Sequence, residues 1–108
     1  MSGATGWVRV ASVKEIGAGQ VRACQVGKRD IAVYHLDDGS WAATDNICSH
    51  AFALLSEGWL EGIEIECPLH AARFDVTSGK ALCPPADQPL QVFPVKVEGN
   101  DVLVQVPS

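Results

Sequence analysis

Long apolar runs are missing from this 108-residue sequence, and none approaches the roughly 20 residues that a membrane-spanning helix needs. A membrane span is therefore not expected. The stretch Met1 to Trp7 carries neither a positive patch nor an apolar h-region, so no secretory signal is read and the expected compartment is the cytoplasm. Basic residues are scarce, 8 Lys and Arg against 13 Asp and Glu, for a net charge of −5. Without clustered cations to neutralise phosphates, nucleic acid is not an expected partner. An acidic surface of this kind suits fast, salt-sensitive encounters with a basic partner. No segment holds a 3.6-residue apolar period long enough for a core helix. The Gly17-Ala18-Gly19 bend does not open a dinucleotide fingerprint, because Arg22 stands where the last glycine is required and the residues after it alternate like a strand.

What is present is a succession of short strands punctuated by turn residues, sized for a single domain. The expectation is all-β. Trp7–Ala11 reads as a first strand, followed by Val13–Ile16 and the glycine-bounded bend. Gln20–Val26 and Asp30–Leu36 read as a hairpin around Gly27-Lys28-Arg29, the second run setting Ile31, Val33 and His35 against Ala32, Tyr34 and Leu36. Asp37-Asp38-Gly39-Ser40 is a turn before Trp41–Thr44. Gly58–Gly62 and Ile63–Glu66 read as a small hairpin, with Arg73–Val76 pairing back onto it. Cys83-Pro84-Pro85 is a rigid loop, since proline lacks the amide donor that a central strand needs. Leu90–Glu98 and Asp101–Val106 close the chain around Gly99-Asn100. The expected organisation is one domain over residues 1–108, in which a subdomain of about 46–85 is inserted into a β framework formed by 1–45 and 86–108.

The chemistry concentrates between Cys48 and His70. Cys48-Ser49-His50 and Cys67-Pro68-Leu69-His70 each offer one thiol and one imidazole, separated by sixteen residues, enough for an excursion and a returning strand. Two thiolates and two imidazoles can hold zinc, or an iron–sulfur cluster in which two histidines replace two cysteines on one iron. Zinc fingers usually keep the two cysteines together and the two histidines together. Here they are interleaved, as a two-iron cluster requires if each loop gives one ligand to each iron. Cys24 and Cys83 lie outside the motif and are expected to be packed or near-surface thiols. His35, in strand alternation with no ligand-type neighbour, is expected to be structural. Glu57, Glu61, Glu64 and Glu66 around the intervening hairpin are expected to be solvated strand and turn positions rather than a dedicated docking patch.

Cys48-x-His50 with Cys67-Pro68-Leu69-His70 resembles the Rieske [2Fe–2S] motif. The likeness continues through Ala71–Cys83, Pro84-Pro85 and Val92–Val97. It looks like the small Rieske ferredoxins of bacterial aromatic ring-hydroxylating dioxygenase systems, a likeness that in effect covers the whole chain. The resemblance implies a Rieske fold, an antiparallel β-sandwich framework carrying an inserted cluster-binding subdomain of two ligand loops. It implies one Rieske-type [2Fe–2S] cluster, with Cys48 and Cys67 on the inner iron and His50 and His70 on the outer one at an exposed tip. Pro84-Pro85 then matches the proline loop that covers the cluster. Phe52, Leu69, Ala71 and the two prolines would pack under the loops or form a small apolar rim suited to brief redox contacts.

Rieske proteins of respiratory chains join the two loops by a disulfide at positions that are here Ala53 and Leu69, so that link is not available. Their serine and tyrosine donors to the cluster sulfurs correspond to Ala72 and Phe74, which lack the hydroxyls. The expected potential is accordingly near the low end of the Rieske range, about −150 mV. The chain would not be the oxygenase, since after His50 and His70 only His35 is left for a mononuclear iron site. The expected role is a monomeric electron carrier, not an enzyme, with a flavin-dependent ferredoxin reductase and a terminal Rieske oxygenase as transient partners. The alternatives are a Rieske component of a diiron monooxygenase or nitrite reductase, and a zinc-stabilised interaction module.

Overall fold

A computed structural model of the chain describes residues 5–48, 53–68, 72–83 and 88–107. These form ten strands and one 3-10 turn, all strand pairs antiparallel: β1 Thr5–Ser12, β2 Gln20–Val26, β3 Arg29–His35, β4 Trp41–Asp45, β5 Trp59–Glu61, β6 Glu64–Glu66, β7 Arg73–Asp75, β8 Val92–Phe93, β9 Val95–Glu98 and β10 Asp101–Pro107. They lie in three sheets, ordered β1-β10-β9, β2-β3-β4-β8 and β5-β6-β7. The all-β expectation holds, and among the described residues no helix is long and apolar enough to cross a membrane.

Strand β3 explains the layering. Ile31, Ala32, Val33 and Tyr34 are all fully buried, so both faces of this strand are covered. Ile31 and Val33 face a core shared with Ala11, Ile16, Phe93, Val102 and Val104. Ala32, Tyr34 and Leu36 face a second core, shared with Leu55, Ile65, Phe74 and two cysteines, Cys48 and Cys67. The sheet containing β3 is thus the wall between two apolar interiors. Tyr34 brings a hydroxyl into the second core and satisfies it on Thr44 at 2.8 Å, as a buried O–H must be.

Two stretches depart from the sequence reading. Val13 to Glu15 form a turn, not a strand, because the Ser12 amide donates to the Glu15 carboxylate at 2.6 Å and the Glu15 amide returns to the Ser12 carbonyl at 2.9 Å. That reciprocal bond closes the chain on itself and drops Ile16 into the first core. Leu90–Glu98 is interrupted at Pro94, which has no amide to give to a ladder. Residues before it pair with β4, residues after it pair with β10, and the Pro94 carbonyl accepts from Gln105 at 3.0 Å. The proline is where the chain passes from one sheet of the sandwich to the other.

The sheet β5-β6-β7 falls between β4 and β8 in the sequence and packs on the second core. Its turn at Thr77–Gly79 docks back on the framework through the Leu90 amide, which donates to the Gly79 carbonyl at 2.7 Å. Gly79 has φ +81°, and a Cβ there would collide with the Leu90 carbonyl oxygen, so no other residue fits without movement.

Candidate metal centre

Both cysteines of the motif occupy the same position in two similar loops. Cys48 ends one arm of a narrow hairpin whose opposite arm begins at Ala53, and its amide donates to the Ala53 carbonyl at 2.9 Å. Cys67 directly follows β6, and its amide donates to the Ala72 carbonyl, just before β7, at 2.7 Å. In both loops the cysteine amide thus bonds the carbonyl of the residue five positions on. The cysteines are 3% and 0% exposed.

Burial of thiol positions in this way suits a soft metal site, since it keeps water from the sulfur ligands. The two loops also converge, because Cys48, Cys67 and Ala72 belong to one apolar cluster with Leu55, Ile65 and Phe74. Their approach is closed by Gly58, where a Cβ would strike the Glu66 carbonyl and crowd Pro68 Cδ. The 3-10 turn Leu55–Glu57, leading out of the first loop, can thus lie against the strand that delivers Cys67. The donor chemistry and the convergence fit a thiolate-held cluster. His50 and His70, with Phe52, Leu69, Ala71, Pro84 and Pro85, lie outside the described residues.

The remaining residues singled out in the sequence divide cleanly. His35 is structural: its Nδ1 is 2.8 Å from the Ile16 carbonyl, and its ring stacks on Trp41 with centroids 4.0 Å apart. Cys24 is 8% exposed with its thiol 3.9 Å from the Arg22 carbonyl, and burial pushes its pKa up, as expected of a packed thiol. Cys83 is half-buried.

The acidic hairpin is not simply solvated. Arg73, at the base of the second loop, reaches Glu66 at 2.9 Å, Glu64 at 3.3 Å and Glu61 at 3.4 Å. Strand pairing sets Glu61 opposite Glu64 and Glu64 opposite Asp75, and like charges so placed repel. One guanidinium fans across Glu61, Glu64 and Glu66 and offsets the repulsion between the first two. Arg73 was legible only as a strand residue, because its role depends on the register that sets it opposite Glu66.

A sandwich framework bearing a separate small sheet, with two buried cysteines on matching arms that converge in one core, defines a class of small all-β domains with a thiol-bearing two-loop site. A family model described as the Rieske [2Fe–2S] domain matches residues 6–94. The ferredoxin component of the naphthalene 1,2-dioxygenase system of Pseudomonas aeruginosa is 44% identical over 100 residues, covering 93% of this chain and 95% of that protein. Among solved structures, the ferredoxin of Sphingomonas yanoikuyae B1 superposes with a TM-score of 0.88 at 34% identity, over 94% of this chain and all of that one. A chain in the complex of reduced oxygenase and oxidized ferredoxin in carbazole 1,9a-dioxygenase gives 0.84 at 37% identity, over 91% of each. This chain belongs to the Rieske [2Fe–2S] family, and its cofactor is one Rieske-type [2Fe–2S] cluster.

Proposed function

We propose that this protein is the electron-transfer ferredoxin of an aromatic ring-hydroxylating dioxygenase system. It takes single electrons from an NAD(P)H-dependent flavin reductase and hands them to the Rieske cluster of the terminal oxygenase. The observation that carries the reading is likeness along essentially the whole chain to a dioxygenase ferredoxin component, with no large part of either left over. Cys48 and Cys67 would hold one iron of the cluster, and His50 and His70 the other. The bound cluster supplies a reversible one-electron couple, and substrate chemistry belongs to the partner enzyme.

The protein's own residues set the terms of that couple. Residues of about 46–85 form the cluster-binding subdomain, inserted into the framework of 1–45 and 86–108. The apolar cluster beneath both loops keeps water from the inner side of the site. Ala72 and Phe74, both fully buried, give the sulfurs no hydroxyl donor and hold the potential low. Ile47 and Leu82 are 49% and 42% exposed. Ile47 precedes Cys48, while the Leu82 amide bonds the Arg73 carbonyl at the base of the second loop. These apolar positions beside the loops suit brief contacts that bury little area. The carrier acts as a monomer in the cytoplasm, presenting one tip to two partners in turn.

The test is stopped-flow transfer from the chemically reduced protein to an oxidised naphthalene-type terminal oxygenase. The proposal expects rapid oxidation of the carrier matched by reduction of the oxygenase, slowing as ionic strength rises. Oxidation no faster with the oxygenase than in buffer would refute it.

A further inference from the structure

The described arms of the two cysteine loops are built differently. The second rises from a regular hairpin, β6 and β7, paired over three residues on each strand. Among the described residues the arms of the first meet at the isolated bridge between Ile47 and Leu54, flanked by the bonds of the Cys48 and Leu55 amides. A buried asparagine two residues before Cys48 ties this loop to its surroundings.

Asn46 is 0% exposed, and its hydrogen-bonding groups reach three segments. Its side-chain amide donates to the Asp30 carboxylate at 3.2 Å and to the Ser56 hydroxyl at 3.0 Å. Its side-chain oxygen accepts from the Ser56 amide at 2.7 Å. Its backbone amide donates to the Asp30 carbonyl at 2.8 Å, and its carbonyl accepts from the Leu55 amide at 2.7 Å. The start of β3, the arm leading to Cys48 and the arm returning from the loop are thereby tied at one residue. A fully satisfied buried polar group of this kind fixes geometry, because any displacement leaves donors and acceptors unmet in a site shielded from solvent.

We infer that Asn46 is a positioning residue for the cluster, holding the first loop at the angle that brings Cys48 to the iron shared with Cys67. The inference rests on the ligand reading of Cys48 proposed above. Side-chain chemistry at position 46, not bulk, is what the role requires.

The experiment compares Asn46→Asp with the double variant Asp30→Asn/Asn46→Asp in the cluster-loaded protein. The single variant sets two carboxylates against each other where an amide met a carboxylate. The double variant reverses the pair: a carboxylate at position 46 still accepts from the Ser56 amide and hydroxyl, and receives the amide at position 30. In Asn46→Asp, hydrogen exchange at the Cys48 and Leu55 amides should rise about tenfold, with Cys67 and Val33 changed less than about twofold. The cluster's lifetime should shorten in parallel, with a broadened electron paramagnetic resonance spectrum in the reduced state, and the double variant should restore all three. Unchanged exchange at Cys48 and Leu55, equal acceleration at Val33, or no recovery in the double variant would overturn the inference. A Cys48→Ala arm keeps the two readings apart: if it retains the cluster, the ligand assignment falls, while the exchange result at Cys48 and Leu55 in the other variants still judges the clamp.

Discussion

A His70→Ala variant is expected to fold and remain colourless, with iron and acid-labile sulfide falling below about a tenth of the parent's content. Removing one imidazole leaves the outer iron with an open position on the solvent side of the proposed site, where water and chelators compete for it. The framework is not expected to fail with it. One of the two cores, built on Ile31, Val33, Val102, Val104 and Phe93, lies on the other side of β3 from both cysteines. Far-ultraviolet circular dichroism should therefore keep its strand signal while the visible absorption disappears. A His70→Ala protein recovered with a full complement of iron and sulfide would remove His70 from the ligand set.

The second large effect is on the potential. Ala72→Ser and Phe74→Tyr each add a hydroxyl next to the loops, at positions that are fully buried and packed in the same cluster as Cys48 and Cys67. An O–H···S bond favours the reduced cluster, which carries one more negative charge. A differential of about 1–1.5 kcal/mol corresponds to a rise of roughly 50 mV for a one-electron couple. The tyrosine variant carries a structural risk that the serine variant avoids, because an added hydroxyl that misses the sulfur is an unsatisfied buried donor. Potentiometric titration of both variants against the parent is the check, and no upward shift in either would contradict the assignment of these two residues.

Much of this architecture is written in local signals. The turns at Gly27, Asp38-Gly39 and Gly99-Asn100, and the interleaving of cysteine and histidine, each depend on residues a few positions apart. The parts that escaped depend on tertiary partners. The reciprocal turn at Ser12 and Glu15 uses a side chain that reads equally well as a strand residue. Asn46 is an ordinary polar residue until the fold brings Asp30 and Ser56 to it, sixteen and ten residues away. Arg73 likewise gains its meaning from the register of β5-β6-β7, which gathers three glutamates within its reach. The hairpin's charge pattern showed the carboxylates but not the residue that holds them.

In the proposed site, Cys48, Cys67, His50 and His70 hold one low-potential Rieske cluster that moves single electrons. Its most direct test is an anaerobic redox titration of the purified protein, followed by electron paramagnetic resonance with nitrogen couplings resolved. A single one-electron transition at about −150 mV is expected, with nitrogen coupling from two imidazoles on the reduced centre. A centre with no nitrogen coupling, or a colourless zinc protein with no transition at all, would contradict it.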